Sequence, residues 1–99
     1  MPYRIEYSPD AEEHLRALTA RQQATILDAV DKQLIYQPTA ETRNRKPMRP
    51  NPVAPWELRI GNLRVYYDVG EKPEFVVYVR AIGVKERKRI RIGKRAIEL

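Results

Sequence analysis

One carboxylate set among cations is the feature of this sequence best able to act on an anion. In Trp56-Glu57-Leu58-Arg59-Ile60, strand alternation puts Trp56, Leu58 and Ile60 on one face and Glu57 and Arg59 on the other. In Leu63 to Val69 it sets Leu63, Val65, Tyr67 and Val69 opposite Arg64, Tyr66 and Asp68. Gly61-Asn62 is a two-residue hairpin signal, so the two strands are neighbours and Arg59 and Arg64 lie close together. Like charges that near each other cost stability. An anionic ligand between them is one reason to tolerate the cost, and guanidinium groups suit phosphate. The other reading is two solvated arginines splayed apart and tied to Glu57 or Asp68. Tyr66 and Tyr78 either stack on bases or pack as sheet tyrosines do; Trp56 and Tyr67 read as core.

The charge distribution agrees with an anionic partner. Residues 1–42 carry a net −3 and residues 43–99 a net +9. A basic half on a small protein reads as a footprint for a polyanion, here the phosphate backbone of RNA. The chain has 99 residues, no Cys and one His. Disulfides, zinc fingers and His-based triads are thereby excluded, and no cofactor or metal is expected. The lone His14 sits among Glu12, Glu13 and Arg16 and reads as a solvated surface residue with no role. No signal-peptide run opens the chain, and no stretch approaches the ~20 apolar residues of a membrane span, so a cytoplasmic protein is expected.

The elements that must hold these residues follow from local signals. Pro2 to Tyr7 alternates as a first strand. Ser8-Pro9-Asp10 opens a helix with a cap, a proline at the first helical position and an acid near the positive dipole end. Thr19 with Gln22 forms a capping box for a second helix, striped by Ile26, Leu27, Val30 and Leu34 and ending near Tyr36 before Pro38. Gln37 to Pro55 is rich in proline and carries Arg43, Arg45, Lys46 and Arg49; it reads equally as a functional basic loop or as a connector. Strands follow at 56–60, 63–69 and 74–82, the last apolar enough to be central. The tail from about 85 to 99 is basic, with Ile90-Arg91-Ile92 as a possible short strand. The expected fold is α+β, a single domain over 1–99 in the order β-α-α-β-β-β. A two-helix hairpin would pack on one face of a small, mostly antiparallel twisted sheet.

This order, with the strings Ser8-Pro9-Asp10-Ala11, Trp56 to Ile60, Leu63 to Val69 and Ala81-Ile82-Gly83-Val84-Lys85-Glu86-Arg87, resembles the RelE/ParE superfamily of type II toxin–antitoxin toxins. The resemblance implies a ribonuclease of the RelE kind, which enters the ribosomal A site and cuts mRNA without a metal. It also implies a cognate antitoxin that covers the basic groove, and a toxin–antitoxin complex that binds operator DNA. The ParE branch instead poisons DNA gyrase, and a degenerate toxin would only bind nucleic acid or its antitoxin. Carried over residue by residue, the family's basic positions match Arg59, Arg64, Lys85 and Arg87. RelE itself has a lysine where this chain has Glu57, and its C-terminal tyrosine falls near Ile90 or Arg91 here.

Under that resemblance the catalytic set is Glu57, Arg59, Arg64, Lys85 and Arg87. Arg59 and Arg64 would clamp the phosphate, since a guanidinium stays charged and makes a poor base. Glu57 would be the general base, and Lys85 or Arg87 would stabilise the leaving group. Arg45, Lys46, Arg49, Lys88, Arg89 and Arg91 are the expected RNA-binding residues.

Overall fold

A computed structural model describes residues 2–93 and 95–97 of the chain, with the side chain of residue 97 left aside; Lys94 and the last two residues of the basic tail lie outside the described set. Strand β1 (Arg4–Tyr7) leads into helix α1 (Pro9–Arg16), whose N-cap Ser8 accepts from the Ala11 amide at 3.0 Å. Helix α2 (Ala20–Leu34) starts with the expected capping box, Thr19 and Gln22 each accepting from the other's amide. It ends two residues before Tyr36. There the Arg45 guanidinium donates to the carbonyls of Gln33 and Gln37, both at 2.6 Å, and takes up acceptors that a helix end leaves unpaired.

The sheet then runs β2 (Arg45–Pro47), β3 (Trp56–Ile60), β4 (Leu63–Gly70), β5 (Val76–Glu86), β6 (Arg89–Ile92) and β7 (Arg95–Ile97), each antiparallel to the next. Strand β1 joins it by pairing parallel with the first half of β5, from Arg4 opposite Val76 to Tyr7 opposite Val79. The helices over one face of a mostly antiparallel sheet are the expected α+β architecture, with more strands than the sequence signalled. The proline-rich segment contributes an edge strand, ending at Pro47 where no ladder amide is needed. The basic tail folds back as β6 and β7. No helix among the described residues is long and apolar enough to cross a membrane.

A bulge between β4 and β5 decides which side chains face which way. Tyr66 pairs with Ala81 but Tyr67 pairs with Val79, so Arg80 has no opposite residue. Val77 and Val79 before the bulge, and Ile82 and Val84 after it, therefore all enter the core beneath the helices. The bulge is tied from α1: the Ser8 hydroxyl donates to the Arg80 carbonyl at 3.0 Å, and His14 Nδ1 accepts from the Ile82 amide at 3.3 Å. His14 is accordingly half-buried, not solvated, because it supplies an acceptor where the strand ladder is interrupted.

A second, smaller cluster covers the face away from the helices. Tyr66, Ala81, Ile92 and Ala54 are buried there, with Met48, Val53 and Ile90 packed against them. The loop between β2 and β3 folds down onto this face, and Asn51 holds its shape. Its amide nitrogen donates to the carbonyls of Arg49 and Ala54 at 2.7 and 3.0 Å, and its oxygen accepts from the amides of Val53 and Ala54 at 2.8 and 3.1 Å. The Met48 amide closes the loop on the Pro55 carbonyl at 2.8 Å.

Candidate functional site

Between that loop and the edge formed by β5 and β6 lies a groove of about 590 Å³. Its floor is β3 and β4, where Glu57 stands opposite Tyr66 and Arg59 directly opposite Arg64. Lys46, opposite Glu57 on β2, and Arg49 from the loop enter from one side; Lys85 and Lys88 enter from the other. Pro47, Met48, Pro50 and Ile90 supply apolar lining. Six cations thus surround a single carboxylate among the lining residues, a charge arrangement that attracts an anion.

The three central groups differ in freedom. Arg59 is half-exposed and its Nε donates to Glu57 Oε1 at 2.6 Å, while the Glu57 side chain is only 8% exposed. Arg64 is 6% exposed, and its guanidinium donates to the carbonyls of Gly61 and Leu63 at 2.7 and 2.8 Å. It therefore braces the β3–β4 turn as well as facing the groove. Arg59 can turn toward a ligand, whereas Arg64 offers one from a fixed position. The two are neighbours, as the hairpin signal implies; Glu57 is the counterion of Arg59, while Arg64 is buried on turn carbonyls and not solvated.

Tyr66 shares this face but is fully buried under Met48, Val53, Ala54 and Ile90, so it is not available to stack on a base. Its hydroxyl lies beside Glu57 but makes no well-formed hydrogen bond. A buried hydroxyl left unpaired costs roughly 1–3 kcal/mol. Burial pushes the Tyr66 phenol well above its usual pKa, and the negative charge of Glu57 and the approach of the hydroxyl to that carboxylate push it further, against opposing contributions from Arg64 and Arg59. Tyr67 goes to the other face, stacking with Trp56 at 6.2 Å and donating to the Pro38 carbonyl at 2.6 Å. Tyr78 is half-buried beneath the Arg80 guanidinium, 5.1 Å from its ring centroid.

Of the expected residues, Glu57, Arg59, Arg64, Lys85, Lys46, Arg49 and Lys88 line the groove together. Arg87 does not line it: it occupies the two-residue turn between β5 and β6 with a backbone φ of 58°. Arg45 is spent on the α2 terminus, on the far side of β2 from Lys46. Arg91 bonds Glu86 at 3.0 Å opposite Val84, and alternation sets Arg89 on that same face, across the strand from Ile90. Asn51 and Met48 carry no charge that marks them in the sequence, although an Asn between prolines is a signal for a side-chain-stabilised turn. No three His, Asp or Glu side chains come together among the described residues.

Comparison with known proteins bears on the family and the fold. The family model described as the ParE toxin of the type II toxin–antitoxin system parDE matches residues 5–89, from β1 to the start of β6. The fold is similar to a chain in the crystal structure of the toxin–antitoxin complex RelBE2 from Mycobacterium tuberculosis. The TM-score is 0.73 at 21% sequence identity, covering 86% of this chain and 100% of that one. No curated protein matches the sequence.

Proposed function

Since the chain belongs to the ParE toxin family of type II toxin–antitoxin systems, we propose that it acts as the toxin of such a pair by cutting mRNA on the ribosome without a metal. The observation that carries this reading is a buried Glu57 bonded to a half-exposed Arg59, opposite a buried Arg64 anchored on backbone carbonyls, in a groove with four further cations. Phosphate transesterification needs a base for the 2′-OH, charge stabilisation at the phosphorane and a proton for the departing 5′-oxygen. Glu57 takes the first role, freed when Arg59 turns to the phosphate. Arg59 and Arg64 take the second, since positioned guanidinium groups stabilise phosphoryl charge. Lys85 takes the third; Arg87 stands outside the groove. The 2′-oxygen bonds to phosphorus as the bond to the 5′-oxygen breaks, leaving a cyclic 2′,3′-phosphate and a 5′-hydroxyl. Work on ribosome-bound message would place the protein in the cytoplasm.

The RelBE2 structure is a toxin–antitoxin complex. A cognate antitoxin that lays acidic residues into this groove would silence it by the same charge complementarity that draws RNA. The joined pair would bind its own operator DNA. A second reading has the matched family's name in its favour: a ParE-type toxin that inhibits DNA gyrase and cuts no RNA. Two assays on the purified protein separate them. Cleavage of mRNA in programmed ribosomes with no effect on gyrase supercoiling supports the nuclease. Blocked supercoiling with intact message supports the gyrase reading.

A further inference from the structure

The Tyr66 hydroxyl is buried beside Glu57 without a well-formed hydrogen bond, on the side of the sheet where the groove lies, and neither the family resemblance nor the chemistry above uses it. Its strand position is directly opposite Glu57, on the same face. Unpaired buried hydroxyls are rare in folded proteins, and each calls for an explanation.

The explanation lies in what happens to Glu57 when Arg59 leaves it. In the structure Arg59 Nε holds Glu57 Oε1. A phosphate entering the groove competes for that guanidinium, and Arg59, half-exposed, is free to turn. Glu57 is too buried to be solvated in its place, and a buried carboxylate left with neither counterion nor hydrogen bond is costly. Arg64 is anchored on two carbonyls of the β3–β4 turn. Lys46 on β2, Arg49 in the loop, Lys85 on β5 and Lys88 in the next turn are the remaining charged groups lining the groove, and each is drawn toward the same phosphate. Tyr66 stands beside Glu57 on the same face, covered by the β2–β3 loop and Ile90 where no substrate reaches.

We propose that Tyr66 is a positioning residue for Glu57, its hydroxyl donating to the carboxylate once a phosphate draws Arg59 away. The role rests on the ribonuclease reading for its catalytic consequence, but not for the exchange of partners itself. The hydrogen bond keeps the carboxylate partnered and held in place with substrate bound. Burial and the adjacent Glu57 charge keep the phenol protonated, so it remains a donor across the working pH range.

Tyr66→Phe tests this by removing one oxygen from a packed site. The free variant should be about as stable as the wild type, because the hydroxyl it loses has no well-formed hydrogen bond. With saturating inorganic phosphate, nitrogen NMR should show Arg59 Nε released from Glu57, and the wild-type Tyr66 hydroxyl proton should become visible. In RNA cleavage the variant should lose about tenfold in kcat at constant KM. An Arg59 that stays on Glu57 in the presence of phosphate overturns the proposal, as does a variant that cuts RNA as fast as the wild type. If the wild type cuts no RNA but phosphate releases Arg59 and brings up the hydroxyl proton, the nuclease reading fails and the partner exchange stands. Should Tyr66→Phe not fold, the wild type still decides. Phosphate must bring the Tyr66 hydroxyl proton into view as a slowly exchanging resonance, and its absence counts against the proposal.

Discussion

Replacing Glu57 with Gln separates binding from chemistry, and the structure sets the size of each effect. Glu57 is the one carboxylate among the groove's lining residues and holds Arg59 at 2.6 Å. Glutamine keeps the shape and an acceptor but removes the charge, so Arg59 is freed for a phosphate. A hydrogen bond to a charged group contributes roughly 1.5–3 kcal/mol. Arg59 is 49% exposed, so solvent screening cuts the gain to about 1 kcal/mol, or about fivefold tighter binding. One more neutralised phosphate also steepens the salt dependence of single-stranded RNA binding by a log–log slope of about 0.7. Cleavage falls by about 10²- to 10⁴-fold, the usual contribution of a general base. Folding stability drops by about 1 kcal/mol, because Arg59 and Arg64 then face each other with no counterion. Fluorescence anisotropy on a labelled RNA with a 2′-deoxy scissile position measures binding, and the all-ribose strand measures cleavage. Weaker binding together with undiminished cleavage would refute both the electrostatic reasoning and the role of Glu57.

Three other outcomes follow from the same geometry. Asn51→Ala strips four backbone groups of the groove loop of their partner and should cost about 2–3 kcal/mol, lowering the urea midpoint and weakening RNA binding as the wall carrying Arg49 loosens. Arg87→Gly relieves a left-handed residue at φ 58° and should raise stability by about 0.5–1 kcal/mol in thermal melts with cleavage unchanged; lost cleavage would put Arg87 in the chemistry after all. Alkaline pH should destabilise the fold. Burial, with Asp31 nearby, raises the Tyr7 hydroxyl from 10.0 to about 12, and burial also raises Tyr66 and Tyr67. Below pH 10 these groups are protonated in both states and their contribution is complete. Above it the unfolded chain loses protons that the native state keeps, so stability falls through the window from 10 to 12. Urea midpoints at pH 9 and pH 11, read beside tyrosinate absorbance, check the sign.

The caps and the strand alternation were legible in the sequence because each is a local rule. Ser8 and Thr19 announce the helices, and Gly61-Asn62 fixes the register that sets Arg59 against Arg64. The bulge was not legible. The run from Val76 to Val84 is apolar in both phases, so nothing in its pattern marks Arg80 as the unpaired residue or frees the Ile82 amide for His14. Nor did the basic strings declare their faces. Lys46 and Arg45 are adjacent, yet pairing of Lys46 with Glu57 sends one into the groove and the other to the end of α2. Arg89 and Arg91 sit on either side of Ile90, so the chain positions that looked most like a phosphate-binding arm turn from the groove, while the isoleucine lines it. Charge composition found the correct half of the chain; only long-range pairing could sort its members.

The most direct test of the account is to express the chain without its antitoxin in bacterial cells and map the 5′ ends of transcripts, beside the Glu57→Gln variant. The account predicts new 5′-hydroxyl ends inside translated reading frames, dependent on translation and lost in the variant. Growth arrest with unbroken transcripts would contradict it and leave the toxin acting on another target.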